Sequence, residues 1–172
     1  MADLSAIAFR SRELSDAAPL TEILTAVYNI SKYPVDGPSS FPSRFQAANA
    51  LVSIVALYNG SVAGHAELQD TSGLNSSVVE FLQSQGPLSS FAALVSLFVD
   101  PRMQGKGIGA RLVEEAIDRG RQEGKRLVLV VLDKDMTAIR MYERLGWERK
   151  TEYFYESKQG VKYRAFTYLA PV

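Results

Sequence analysis

Three glycines alternate with other residues from Gly105 to Gly109, within the stretch V-D-P-R-M-Q-G-K-G-I-G-A that ends at Ala110. An apolar run precedes them and an amphipathic helix pattern follows. Because glycine has no Cβ, it lets the backbone approach a ligand closely. The free N–H groups that open a helix bind anions, and the helix dipole favours negative charge there. The stretch therefore predicts a phosphate or pyrophosphate site built from backbone amides, with Lys106 adding a positive charge.

Two nucleotide-binding motifs resemble this loop in part. A Walker A loop needs G-x-x-x-x-G-K and then Ser or Thr, but Gly107 follows Lys106 here and Asp100 takes the place of the first glycine. The dinucleotide fingerprint G-x-G-x-x-A does match Gly105 to Ala110, and Asp133 follows a later strand as a ribose partner would. Only one more β-α unit follows the motif, whereas a doubly wound sheet needs several. A small NAD-binding oxidoreductase stays an alternative at this point.

Composition restricts the remaining classes of protein. The chain has 172 residues, 47% of them hydrophobic and 22% charged, which fits one globular domain over residues 1–172. Lys+Arg and Asp+Glu are both 19, so the zero net charge gives no support for a nucleic-acid partner. Cysteine is absent and there is a single histidine, so we expect no metal site. No signal peptide or membrane-spanning run is recognisable, and we expect a cytoplasmic protein.

The hydrophobic periodicity predicts the element order β-α-α-β-β-β-α-β-α-β-β. The predicted strands cover 7–12, 51–58, 61–69, 91–99, 127–132, 147–155 and 161–168, and Asn59-Gly60 marks a hairpin turn. The predicted helices cover 17–30, 42–50, 108–124 and 136–145. Residues 70–90 are polar and rich in Gly and Ser, with a short amphipathic piece at 78–82, and we interpret them as a loop insertion.

Two stretches of the sequence resemble motifs of the GNAT N-acetyltransferase superfamily. The stretch from Val99 to Ala110 matches the acetyl-coenzyme A motif V-x-P-x-x-(Q/R)-G-x-G-(I/L)-(G/A). A second family signature corresponds to D-M-T-A-I-R-M-Y-E-R-L-G-W, which runs from Asp135 to Trp147 and carries Tyr142. The resemblance implies an α/β fold of the α+β type. Its central sheet is mixed and largely antiparallel, splays in a V between the fourth and fifth strands, and has helices on both faces.

The resemblance also implies roles for individual residues. Backbone amides would hold the coenzyme pyrophosphate at Gln104, Gly105, Lys106, Gly107, Ile108, Gly109 and Ala110. The pantetheine arm would pair with the strand edge at Leu97, Phe98 and Val99. Tyr142 matches the tyrosine that protonates the departing thiolate in many members, or else it is a core aromatic residue. Asp135 stands where the family has Asn. An Asn amide both donates and accepts hydrogen bonds, whereas an ionised Asp only accepts them. Asp135 therefore either contacts the coenzyme as an acceptor or serves as a helix N-cap.

No carboxylate occurs on the strand before the glycine loop, where many GNAT enzymes carry their general base. His65 and Glu67, on one face of a hairpin strand, are the main candidates for a base, and Glu80 is another. The ordinary alternatives are a structural histidine and a solvated carboxylate. Deprotonation through water, or an acceptor that arrives neutral, also stays open.

The implied reaction is direct transfer of an acetyl group from acetyl-CoA to a primary amine of a small molecule or peptide. We expect the acceptor site between the loop 33–45 and the segment 70–90, with Tyr33, Phe41 and Phe45 forming an aromatic wall and Asp36 attracting a cationic amine. A catalytically impaired acyl-CoA sensing domain is the non-enzymatic alternative. The family resemblance allows a homodimer.

Overall fold

Seven strands of the described residues form one central sheet: β1 (Ile7–Ser11), β2 (Ala50–Tyr58), β3 (Ser61–Gln69), β4 (Phe91–Val99), β5 (Arg126–Leu132), β6 (Glu148–Glu156) and β7 (Lys162–Leu169). The protein is represented by a computed structural model that describes residues 4–172. The prediction about a signal peptide falls partly on residues 1–3, which lie outside the described residues. The strand order is β1-β2-β3-β4-β5-β7-β6. Among the strands of residues 4–172, only the β4–β5 pair is parallel, which confirms a mixed, largely antiparallel sheet.

In the part of the chain that the structure describes, five α-helices cover the two faces of the sheet: α1 (Ala17–Ser31), α2 (Phe41–Arg44), α3 (Ser76–Gln85), α4 (Ile108–Gln122) and α5 (Met136–Arg144). Side chains of α4 and α5 join the main core on one face, whereas α1, α2 and α3 pack on the other. Successive side chains of β2 point to opposite faces of the sheet. Ile54 belongs to the core that contains α4 and α5, and Val55 belongs to the core that contains α1 and α2. Within the described residues no helix is long and apolar enough to cross a membrane.

The structure corrects two predictions about helices. Residues 70–90 contain α3 and two 3-10 turns where the sequence predicted an inserted loop. Asn75 caps this helix by accepting a hydrogen bond from the Ser77 N–H at 2.9 Å, and Val78 and Leu82 are completely buried. The buried i, i+4 pair therefore outweighs the loop-like composition. The helix predicted over 42–50 ends at residue 44, because the chain turns there and enters β2 at residue 50.

The parallel strands β4 and β5 diverge after a short contact. Their pairing runs from Phe91–Arg126 to Ala93–Val128 and then stops. On its other side, β5 continues to pair with β7 as far as Leu132. This geometry confirms the V-shaped splay between the fourth and fifth strands. A sheet with a single parallel pair is not a doubly wound sheet, so the fold excludes the dinucleotide-binding alternative.

Candidate active site

A cavity of about 1180 Å³ opens where β4 and β5 diverge. Its walls come from the far halves of β4 and β5, the glycine loop, α5 and the loop after α1. Within residues 4–172, no strand pairs with the β5-facing edge of β4 beyond Ala93. Backbone N–H and C=O groups need partners when they are buried. An extended ligand that carries amide groups fits between the two strands, because it would take the place of the missing strand.

The glycine loop forms one end of this cavity. Gly105 and Gly107 have φ angles of 80° and 79°, a left-handed conformation that disfavours other residues. Gly107 is the N-cap of α4, and no side chain of the described residues caps the helix there. The first N–H groups of α4 therefore keep their hydrogen-bonding capacity for an anion. The loop is reached through a 3-10 turn, Pro101–Met103, in which the buried Asp100 carboxylate accepts from the Arg102 N–H at 3.0 Å.

Most of the predicted coenzyme-binding residues line the cavity: Leu97, Phe98, Val99, Gln104, Gly105, Gly107, Ile108, Gly109, Ala110, Asp135 and Tyr142. Lys106 is also among the residues predicted to bind the coenzyme, but it does not line the cavity. Its ammonium lies 5.2 Å from the centre of the Tyr58 ring. Asp135 occupies the N-cap position of α5 but makes no capping hydrogen bond. Its carboxylate instead accepts from Lys134 Nζ at 2.7 Å. Asp135 is thus the N-cap of α5 by position, which is one of its two predicted roles, but its side chain does not cap the helix.

Tyr142 combines a packed ring with access to the cavity. It is 7% exposed, and its ring lies 5.8 Å from that of Trp147 and 6.5 Å from that of Tyr168. Burial raises the pKa of Tyr142 well above its usual value of 10, and the neighbouring Tyr33 and Asp135 act in the same direction. The hydroxyl is therefore protonated at neutral pH and can donate a hydrogen bond. Core packing and a role in the site are compatible here.

A bulge in β4 lies on the cavity wall, at Ser96. Two steps along β3, from His65 to Glu67, correspond to three along β4, from Phe98 to Val95. Ser96 is the extra residue of the bulge. Its φ angle is 51°, a left-handed conformation that is energetically costly for a residue other than glycine. Two contacts hold it in place: its carbonyl accepts from His65 Nδ1 at 2.8 Å, and its hydroxyl accepts from Arg44 Nη1 at 3.2 Å.

The hydrogen bonds of His65 and Glu67 do not suit a general base. Both residues are completely buried, and neither is among the residues that line the cavity. A guanidinium only donates, so the 2.9 Å contact from Arg12 occupies the His65 Nε2 lone pair and places the proton on Nδ1. Burial lowers the pKa of His65 from 6.5 to about 4. Glu67 is held by Arg12 at 2.7 Å, and also accepts from Ser53 and Gln69.

The end of the cavity where the sequence predicts the acceptor differs from the expected aromatic wall. Tyr33 and Asp36 line it, as expected, together with Arg44 and Tyr155. Phe41 and Phe45 lie in the core beneath, where Phe45 packs 5.2 Å from the His65 ring. Asp36 is already bonded to the Tyr155 hydroxyl and to the Lys158 N–H, so its carboxylate joins two loops. From the segment 70–90, only Leu74 reaches the cavity, and Glu80 does not.

Three residues of this region escaped the sequence analysis. Arg12, Arg44 and Ser96 act through contacts between residues that are 31 to 55 positions apart in sequence. No local pattern predicts such contacts. The one available signal is that the buried strand β3 carries a histidine and a glutamate, because buried ionisable groups require partners from elsewhere in the chain.

The sheet with one splayed parallel pair, and the uncapped glycine loop at its opening, define a coenzyme-binding acyltransferase fold. Residues 20–147 match the Acetyltransferase (GNAT) family, and the chain belongs to this family. An uncharacterised N-acetyltransferase of Methanocaldococcus jannaschii is 42% identical over 60 residues, which span 34% of this chain and 26% of that protein. The chain thus matches about a quarter of the length of this curated relative.

Solved structures share the fold along nearly the whole chain. Arabidopsis thaliana NAA60, in complex with a bisubstrate analogue, superposes with a TM-score of 0.73 at 18% identity, covering 96% of this chain and 99% of that chain. The ribosomal-protein-S18-alanine N-acetyltransferase of Escherichia coli gives 0.65 at 25% identity, over 96% and 94%. The Salmonella typhimurium protein yncA, solved with acetyl-CoA, gives 0.65 at 22% identity, over 95% and 92%.

Proposed function

We propose that this protein transfers the acetyl group of acetyl-CoA directly to a primary amine. The observation that carries the proposal is the unpaired edge of β4, which leads along the cavity to the uncapped start of α4. An elongated coenzyme with amide groups in its arm and a pyrophosphate at its end matches both features at once. The presence of acetyl-CoA in the related yncA structure supports the same assignment.

When bound, acetyl-CoA supplies a thioester: the amine nitrogen forms a bond to the acetyl carbon, the carbon–sulfur bond breaks, and the sulfur leaves with the electron pair. Backbone N–H groups of the splayed β4 edge stabilise the negative charge that develops on the carbonyl oxygen. Tyr142 donates the proton that the thiolate accepts, and the proton that the attacking nitrogen releases as the amide forms returns to the tyrosine oxygen and restores its hydroxyl. Burial raises the pKa of this tyrosine, and a thiolate in the same apolar cavity is also more basic than its usual value of about 8.5.

Deprotonation of the amine follows one of the alternatives that the sequence leaves open, without a general base from the protein. His65 and Glu67 are proposed as positioning residues, because together with Arg12 they hold the β4 bulge and do not reach the cavity. Of the carboxylates on the cavity wall, Asp36 is bonded to Tyr155 and Lys158, and Asp135 is paired with Lys134. The amine therefore loses its proton to solvent and attacks in the neutral form.

Release of coenzyme A thiol in the presence of a panel of primary amines tests this function. We expect amine-dependent release and an N-acetylated product by mass spectrometry. Tyr142→Phe should lower kcat by about 100-fold, in the range of general acid catalysis, and leave acetyl-CoA affinity unchanged. Tyr163→Phe, on β7 outside the cavity, is the matched control.

The alternatives give different results in the same assays. Tight binding of acetyl-CoA without turnover of any amine identifies an acyl-CoA sensing domain. An unchanged rate in Tyr142→Phe removes this residue from the acid role. Calorimetry with NAD, expected to show no binding, checks the alternative that the fold excludes.

A further inference from the structure

Arg44 lines the end of the cavity proposed for the acceptor and carries a positive charge that no ion pair within residues 4–172 neutralises. It is the last residue of α2, and its guanidinium donates to the Ser96 hydroxyl at 3.2 Å. Its Nε is buried and has no hydrogen-bond partner among the described residues. No carboxylate of residues 4–172 forms an ion pair with Arg44. A guanidinium remains charged at every physiological pH, and a buried donor without a partner is costly.

The acidic residues of the cavity wall form no ion pair with Arg44, although the charge of Arg44 attracts the Asp36 carboxylate and helps to lower its pKa. Asp36 and Asp135, the acidic residues there, already have the partners described above. Arg140 and Arg144 also line the cavity, but they are exposed on α5, where water satisfies their donors. Arg44 thus differs from the other cavity-lining cations, because it is only partly exposed and forms no ion pair among the described residues. A carboxylate of a ligand in the cavity would pair with its guanidinium.

The position of Arg44 limits how far this anion lies from the reacting nitrogen. Its partner Ser96 directly precedes Leu97, where the proposed coenzyme-binding edge of β4 begins. An anion bound at Arg44 is therefore near the thioester, and so is the attacking amine. In an α-amino acid, one carbon atom separates the amine from the carboxylate. The adjacent wall is apolar, with Val27, Val35, Leu74 and Val95 beside Tyr33.

The geometry points to a free α-amino acid with an apolar side chain as the acceptor, its carboxylate bound by Arg44. This inference rests on the proposed acetyl transfer and names its substrate class. It replaces the expectation that Asp36 attracts a cationic amine, because that carboxylate is already engaged by Tyr155 and Lys158. A guanidinium binds a carboxylate through charge-assisted hydrogen bonds, which are stronger than neutral ones.

Paired substrates test the inference. L-leucine, L-phenylalanine and L-methionine are compared with their carboxamides, which keep the amine and lose the charge, and with spermidine. The carboxamides also imitate the N-terminus of a peptide. We expect wild type to prefer each amino acid over its amide by about 100-fold in kcat/KM, the size expected when a buried charge pair loses one member. Arg44→Met should abolish this preference, mainly by lowering kcat/KM for the amino acids.

Two controls keep the interpretation clear. Arg121→Met removes an exposed arginine from α4 and should leave the preference unchanged. Calorimetry should show unaltered acetyl-CoA binding in Arg44→Met, which excludes unfolding as the cause. Equal use of amino acids and amides by wild type, or a preference that survives in Arg44→Met, overturns the inference but not acetyl transfer.

Binding measurements separate the inference from the proposed reaction. Each amino acid is titrated into the protein saturated with coenzyme A. Absence of turnover contradicts the proposed reaction, yet binding to wild type and not to Arg44→Met still upholds the carboxylate site. Absence of binding by all three amino acids overturns the inference.

Discussion

The buried His65 imidazole should make stability depend on pH between 6.5 and 4. Its pKa falls from 6.5 to about 4, chiefly because burial opposes the charged form. The Ser96 carbonyl and Glu67 favour protonation, whereas Arg12 and Arg44 oppose it. In this window the unfolded chain binds a proton that the folded chain does not. Stability contributed by the neutral imidazole is therefore fully present above pH 6.5 and is lost as the pH falls towards 4.

The expected size of this effect follows from the lowered pKa. At about 1.4 kcal/mol for each pKa unit, it corresponds to about 3 kcal/mol of unfolding free energy. The buried carboxylates of Asp16 and Asp100 contribute little in the same window, because ion pairs hold their pKa values below the usual 3.8. The variant His65→Asn should lose this pH dependence while keeping a donor towards Ser96.

Urea unfolding at pH 7, 5.5 and 4.5 measures the effect. We expect the stability of wild type to fall towards that of His65→Asn as the pH decreases, with most of the change below pH 6.5. Parallel curves for the two proteins across this range would show that the imidazole is not held neutral by burial. The role assigned to Arg12 and the β4 bulge would then be wrong as well.

Three further predictions concern the loop, helix α3 and the route of the proton. Gly105→Ala and Gly60→Ala replace glycines with φ angles of 80° and 81° in open space, so each should cost about 1 kcal/mol in urea unfolding, but only Gly105→Ala should weaken acetyl-CoA binding by calorimetry. Equal affinities in both variants would contradict the pyrophosphate site. Leu82→Ala should destabilise the protein by about 3 kcal/mol, because its side chain is completely buried; a loss under 1 kcal/mol would mean that α3 is not a packed element. In the pH profile of kcat/KM, the apparent pKa of the acidic limb should change with the pKa of the acceptor amine when different amines are used. An apparent pKa that stays the same for all amines would reveal a general base in the protein.

Local patterns predict much of this fold because the relevant forces act over a few residues. The strand Phe91–Val99 matches its predicted bounds, and the predicted start of α4 at residue 108 follows from the glycines before it. Helix α3 escaped the prediction because its stability comes from packing against Phe91 and Val128, which a composition rich in serine and glycine does not reveal. Tertiary packing overrides local propensity in such segments.

The candidate site also has one part that local sequence patterns predict and another that depends on long-range contacts. Its coenzyme side is a contiguous loop with a motif, so residue types and spacing identify it. Its acceptor side joins Arg44 to Ser96 and Asp36 to Tyr155, contacts that span 52 and 119 positions. His65 has the unperturbed pKa of a suitable base, and only its burial and the contact with Arg12 change that interpretation. Long-range contacts therefore decide the chemistry that the motifs leave open.

A crystal structure of the complex with acetyl-CoA would show whether the coenzyme occupies the gap between the splayed strands. We expect the pantetheine arm between β4 and β5, with pyrophosphate oxygens within about 3.2 Å of backbone N–H groups in the loop 104–110. We also expect the sulfur beside the Tyr142 hydroxyl. Acetyl-CoA bound outside the gap between the two strands, or a pyrophosphate away from the glycine loop, would contradict the account.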